Sequence, residues 1–189
     1  DKTLEKRIQL CKEAGIPNVG FTTNAALFNE TRIESVINAN PDYIVFSFDT
    51  LNKQDYENGR LRLKYDKVKN NIISLIKLRN LKKSKIRIVV RHIDLKGDQK
   101  DFLKYLDFFQ ELLIDGQDEI GYTKLHNAAF TESIKKDFNS KKYFGDTPCG
   151  AVFNRLTIQH DGQIVLCPHD FNGEYNFGNV MDNNLLDIW

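Results

Sequence analysis

The sequence predicts an α/β fold of parallel strands followed by a small β-hairpin, and three observations carry that prediction. Helix-like stripes and strand-like runs alternate through the first 130 residues. The pattern then gives way to a polar stretch, residues 131–148. Last come two short alternating runs around His160-Asp161-Gly162, an Asp-Gly turn of the kind that joins antiparallel strands. Strand, helix, strand in succession dictates parallel strands with right-handed crossovers, which leaves a doubly wound sheet or part of a (βα) barrel.

Each element has its own signal. Leu4, Ile8 and Cys11 form a helical stripe that Gly15 can terminate, and Val19 to Thr23 reads as a short strand. Asn29 can cap a second helix burying Ile33, Val36 and Ile37. Tyr43 to Phe48 is a continuous apolar run, as expected of a strand covered on both faces. A long helix then presents Tyr65, Val68, Ile72, Leu75 and Ile76 on one side, and Ile86 to Val90 is the third strand. Asp98 with Asp101 opens a helix carrying Phe102, Tyr105, Leu106, Phe109 and Leu113 inward, and Ile120 to Leu125 is a weaker fourth strand. Phe153 to Gln159 and Gln163 to Cys167 are the arms of the hairpin, and Asn183 to Trp189 begins a short helix.

Composition narrows the function. A chain of 189 residues can bury one good core, with 28% charged residues and a net charge of +1. That balance disfavours nucleic acid or an anionic membrane surface as the main partner. The one basic run, Lys82-Lys83-Ser84-Lys85, falls where a helix should end and reads as a solvated terminus. No apolar stretch approaches the ~20 residues a bilayer span needs, and no signal peptide is present, so a soluble, cytoplasmic protein is expected. Three cysteines make an odd count that argues against a disulfide scaffold. Cys11 reads as a core thiol, whereas Cys149 and Cys167 are left between metal binding and plain burial.

Both candidate architectures place functional residues beyond the carboxyl ends of the strands. Those ends read as Thr22-Thr23-Asn24, Ser47-Phe48-Asp49, Arg91-His92 and His126-Asn127. Thr23, Ser47 and His92 are therefore expected to share one concave mouth, with His92 and His126 as hydrogen-bonded pocket residues. No Gly-rich phosphate loop occurs at any of these ends, which argues against a dinucleotide site.

Several of these motifs together carry a resemblance. Cys149-x12-Gly162-x4-Cys167 lies within Leu156-x-Ile158-x-x-Asp161-Gly162-x-Ile164-x-x-Cys167, and Phe177-Gly178-Asn179-Val180 and Leu185 to Trp189 follow. In that order they resemble the opening of the SPASM or twitch extension of radical S-adenosylmethionine enzymes. Phe21-Thr22-Thr23-Asn24 is similar to the family's Thr-Asn-Gly, with Ala25 for glycine, and Phe46-Ser47-Phe48-Asp49 to its Ser-Leu-Asp-Gly, with Thr50 for glycine. Arg60 stands thirteen residues after that serine, where such enzymes often place an arginine.

The resemblance implies a partial (βα) TIM-like barrel over 1–130, a connection over 131–148 and the start of the iron–sulfur extension over 149–189. It implies an oxidoreductase-type enzyme that uses S-adenosylmethionine, a [4Fe–4S] cluster and a 5′-deoxyadenosyl radical to modify a peptide or protein, with flavodoxin or ferredoxin as reductant. Ser47 and Asp49 then contact the ribose hydroxyls, or else simply satisfy a turn. Arg60 offers a planar fork to the methionine carboxylate, or is a solvated surface residue. Thr23 and Asn24 belong to the strand end first and to the cofactor pocket second. Cys149 and Cys167 become the first ligands of an auxiliary cluster that the chain leaves incomplete, since a cubane normally takes four thiolates. Asp170 or His169 could take a substrate proton, although a polar loop is the favoured reading of Pro168-His169-Asp170.

The cluster motif that cleaves S-adenosylmethionine, Cys-x3-Cys-x2-Cys, does not occur in these residues. The chain alone is therefore expected not to perform the reaction, and to be a fragment, a subdomain or a divergent member. The alternatives are a non-catalytic module that binds a peptide or partner along the hairpin edge, and an ordinary barrel lyase with Lys124 as its only strand-end lysine.

Overall fold

Local chemistry sets the helix ends. The Asn29 side chain accepts from the Arg32 amide at 2.8 Å and caps α2, Glu30–Ala39, which ends on Asn40 in the left-handed region at φ 54°. Asn52 does the same for a short helix, α3, Lys53–Gly59, which hydrophobic periodicity does not reveal. In the computed structural model, which describes residues 2–94, 99–124 and 149–189, the chain divides into two compact units, Asp1–Leu125 and His126–Trp189. Asp98, His126-Asn127 and the connection 131–148 lie outside the described residues.

The first unit runs α1 (Leu4–Glu13), β1 (Gly20–Thr23), α2, β2 (Tyr43–Ser47), α3, α4 (Tyr65–Leu81), β3 (Arg87–Asp94), α5 (Gln99–Gln110) and β4 (Glu119–Lys124). The four strands form one parallel sheet in the order β1-β2-β3-β4. Its core lies on one face. Ile44, Phe46, Phe48, Ile88 and Val90 pack there against Ile33, Val36 and Ile37 of α2, Val68, Ile72, Leu75 and Ile76 of α4, and Tyr105 and Phe109 of α5. Fully burying an aliphatic or aromatic side chain of this size contributes about 1.5–3 kcal/mol, so this layer is what holds the sheet.

The opposite face is mixed. It carries Tyr43, Val45 and Ser47 of β2, Val89 and Arg91 of β3 and Gly121 of β4, and both Ser47 and Arg91 are at least partly open. Val45 is nonetheless buried on this face, so the middle of β2 is covered on both faces, as its continuous apolar run leads one to expect. Gly20 is required on this face: a Cβ there would sit 2.5 Å from the Tyr43 ring.

At the amino edge, Asp42 accepts from the Val19 amide at 2.8 Å and from Lys12 at 2.9 Å. Those two bonds, the backbone amide first, hold its carboxyl below the usual range. Deeper in, Arg79 of α4 forks onto Asp118, and both side chains are fully buried. Arg79 also donates to the Ile86 carbonyl at 2.8 Å, while Asp118 accepts from the amides of Ile88 and Ile114 at 2.8 Å each.

Three expectations are revised. Strand β3 extends to Asp94, beyond Arg91-His92, because pairing with β4 continues through Asp94↔Lys124. Cys11 is half-buried instead of being a core thiol, since only Ile8 of α1 is buried. Leu106 and Leu113 are only partly buried, leaving Tyr105 and Phe109 as the inward anchors of α5.

The second unit comprises a 3₁₀ turn (Gly150–Phe153), β5 (Thr157–Ile158), β6 (Gln163–Val165), β7 (Asn176–Asn179) and α6 (Leu185–Ile188). The strands form an antiparallel sheet in the order β5-β6-β7. The hairpin turn stands as expected, with Gly162 at φ 88°, but its arms are shorter than predicted because Phe153 belongs to the 3₁₀ turn. No helix among the described residues is long and apolar enough to cross a membrane.

Candidate functional site

Because β1 to β4 are parallel, their carboxyl ends share one edge, and the residues nominated from sequence gather there by topology. Their side chains divide between the two faces. Register puts Thr23 opposite Phe46 and sets His92 two residues beyond Val90, on the core side, whereas Ser47 lies opposite Arg91 on the open side. The common mouth expected for Thr23, Ser47 and His92 is therefore corrected: Thr23 falls on the core side, away from Ser47, and so does His92. His92 is 1% exposed, enclosed by Phe102, Tyr105 and Tyr122, and its Nε2 lies 3.1 Å from Asp101. A two-residue period decides this, since Val90 and His92 must share a face.

Thr23 and Asn24 shape the chain reversal after β1. The Thr23 hydroxyl accepts from the Ala25 amide and the Asn24 side-chain Oδ1 from the Ala26 amide, both at 3.1 Å. Ala25 stands at φ 58°, the left-handed geometry that glycine adopts freely, and is held by Asn71, which donates to its carbonyl at 2.8 Å. Thr50 likewise has a local task. Its hydroxyl donates to Asp101 at 2.8 Å and accepts from the Asn52 amide at 3.0 Å, which fixes the start of α3.

Asp49 and Arg60 are brought directly together. Arg60 donates from Nε at 2.5 Å and from Nη2 at 2.7 Å to the two carboxylate oxygens. The pair is mostly buried, and the Asp49 carboxylate pushes the Arg60 guanidinium above its ordinary value. Each Asp49 oxygen keeps a second lone pair, so the carboxylate can still accept from a hydroxyl. The Arg60 fork is already occupied. Ser47 is half-buried, and its hydroxyl has no side-chain partner among the described residues. Lys124 is exposed at the end of β4.

In the second unit Cys149 is exposed just ahead of the 3₁₀ turn, and Cys167 is half-buried just after β6; both are free thiols. The Cys167 carbonyl accepts from the Asp170 amide at 3.0 Å. The Asp170 carboxylate accepts from the amides of Glu174 and Tyr175, at 2.8 and 3.0 Å, so it organises the loop. His169 is exposed. A shallow hollow beside Cys167 is lined by Thr157, Gln159, Val165, Asp170 and Phe171. Thiolates are the right donors for iron, but two do not complete a cluster shell. Among the described residues no group of three or more His, Cys, Asp or Glu side chains could hold a metal ion.

This segment matches a known family. Residues 149–189 fit the model of SPASM, an iron–sulfur cluster-binding domain. The SPASM match bears out the resemblance drawn from the cysteine spacing and the Gly-Asn and Ile-Trp residues. No curated protein matches the chain in sequence. Among solved structures the chain is similar to Streptococcus suis SuiB bound to its precursor peptide SuiA, with a TM-score of 0.71 and 19% identity. It is similar also to SuiB bound to S-adenosylmethionine, with a TM-score of 0.67 and 19% identity. Each likeness covers 98% of this chain and 50% of SuiB, so the chain spans about half the length of the structures it matches. At this identity the likeness is one of fold. Of the described features, sequence reading missed α3 and the Arg79–Asp118 pair; Asn52 as a capping residue was the available signal for the former.

Proposed function

We propose that this chain is part of a radical S-adenosylmethionine enzyme that modifies a peptide or protein, its first unit forming a segment of a (βα) barrel and its second the start of the iron–sulfur extension. One observation carries the reading: a SPASM segment follows a parallel sheet whose carboxyl edge presents Ser47 and Asp49 as hydroxyl and carboxylate. Peptide modification is supported by the likeness of fold to a protein solved with its precursor peptide.

In this reading Ser47 and Asp49 hold the cofactor's ribose, and Arg60 acts through Asp49 by fixing the direction of its lone pairs. Thr23 and Asn24 shape the edge of the pocket without reaching into it. S-adenosylmethionine, when bound to a reduced cluster, supplies the oxidising radical. Cys149 and Cys167 supply two thiolates to an auxiliary cluster, and Asp170 and His169 serve the loop.

The test is anaerobic reconstitution of the protein that carries this chain with iron and sulfide. Cys149→Ala and Cys167→Ala should each lower the iron bound and loosen the β5-β6 hairpin, because metal binding and folding are coupled at such sites. Equal iron uptake by wild type and Cys167→Ala would make the cysteines structural thiols and remove the main support of the reading.

A further inference from the structure

Strand β3, helix α5 and the loop after β2 meet at one carboxylate oxygen. Asp101 Oδ2, in the first turn of α5, accepts from the Thr50 hydroxyl at 2.8 Å and lies 3.1 Å from His92 Nε2. A carboxylate only accepts, so the imidazole carries its proton on Nε2. Nδ1 is buried without a partner among the described residues, which leaves Asp101 as the polar contact that orients the ring. Thr50 and His92 are each 1% exposed, so water does not compete for either bond.

This node grips the residue that follows Asp49. The Asp49 carbonyl accepts from the Ile93 amide of β3 at 3.0 Å, and Arg60 forks onto its carboxylate. The turn by itself needs only the bond from the Asn52 amide to the Thr50 hydroxyl, at 3.0 Å. The second bond of that hydroxyl, to Asp101, ties the loop to α5 and, through His92, to β3. A glycine, which the motif resembled by this segment has here, could make neither bond. We propose that Thr50 and His92 are positioning residues for Asp49, acting through Asp101 to set where its carboxylate stands at the carboxyl edge of the sheet. The proposal rests on the functional reading above only for the ligand that Asp49 then meets, the cofactor's ribose.

Paired variants of the full protein that carries this chain test it. Thr50→Val keeps the shape and loses the hydroxyl, whereas Thr50→Ser keeps the hydroxyl. His92→Leu removes the Nε2 donor, whereas His92→Gln offers an amide N–H at similar reach. The Arg60 Nε–H resonance in ¹⁵N-arginine-labelled protein without cofactor, assigned by its loss in Arg60→Lys, reports where Asp49 stands. Calorimetry with S-adenosylmethionine on anaerobically reconstituted protein reports binding. Thr50→Val and His92→Leu should each shift the Arg60 resonance and weaken S-adenosylmethionine roughly three- to tenfold. The double variant should be little worse than either, since both act through one oxygen. Thr50→Ser and His92→Gln should restore both readouts, and Thr50→Val with Thr50→Ser decides alone should His92→Leu fail to fold. Variants that melt lower yet keep the Arg60 resonance and the affinity overturn the proposal, because the residues then serve stability only. If the resonance stays in place while Asp49→Asn weakens S-adenosylmethionine, the cofactor reading stands and the positioning proposal is lost. If the resonance moves and is restored while Asp49→Asn binds S-adenosylmethionine as wild type does, positioning stands and the ribose reading is lost.

Discussion

Tyr56 shows how burial, more than neighbouring charge, sets a residue's chemistry here. It is 1% exposed, packed on Phe48 and Tyr65, and its hydroxyl is without a partner among the described residues. Burial pushes its pKa up to about 12, and burial does the same in direction for Tyr65 and Tyr105. The fold therefore favours the neutral phenol. The stabilisation is present in full below the unfolded value of about 10 and is lost as pH rises through the folded one. Urea unfolding across this range should show wild type losing stability, and Tyr56→Phe losing less. At neutral pH, where no bond is removed, the variant should lie within about 1 kcal/mol of wild type. Identical alkaline profiles for the two proteins would refute this account. The phenols were legible in sequence only as apolar stripe members. Tyr65 and Tyr105 were placed in the core from helical spacing, whereas Tyr56, on a helix of seven residues, gave too few turns for a period to show.

At the scale of elements, the connection between α4, β3 and β4 depends on Arg79 and Asp118. One carboxylate accepts from the guanidinium and from two backbone amides. Removing one partner strands the other as an uncompensated charge in a dry site. Asp118→Ala should therefore cost about 3–5 kcal/mol, and the double change Arg79→Met with Asp118→Leu should recover most of that. Calorimetric melting of the two variants tests the point; a single variant as stable as wild type means that the pair is not structural. Sequence could not show this pair, because its members are 39 positions apart and each falls at the polar margin of its own segment. The long helix was legible for the opposite reason. Tyr65, Val68, Ile72, Leu75 and Ile76 repeat at helical spacing, and all five are buried as expected.

For the whole molecule, the two units differ in how much apolar surface they bury. The first unit has a continuous cluster of fully buried side chains, whereas the described part of the second buries only Ile164 and Val165. Opening free energy follows buried contact, so stability should not be uniform along the chain. Amide exchange should be slowest in β2 and β3 and far faster in β5 to β7; equal protection in the two sheets would contradict this ledger of burial. If an iron–sulfur cluster assembles at residues 149–189, protection of the strands there should rise with it.

Local patterns in the sequence determined the α/β succession, the helix cap at Asn29, the Asp-Gly turn and the cysteine spacing of the segment that matches SPASM, because each depends on residues close together along the chain. It also placed Thr23, Ser47 and Asp49 at one edge, since parallel strands leave no other arrangement. Tertiary structure alone decided which face each side chain takes and which charges meet. Pairing register sent His92 into the core and left Arg91 on the open face, a difference of one position in a period of two. The reversal through α3 carried Arg60 back onto Asp49, closing a pair whose members are 11 positions apart. Such contacts depend on where the chain returns in space, and no local pattern encodes that.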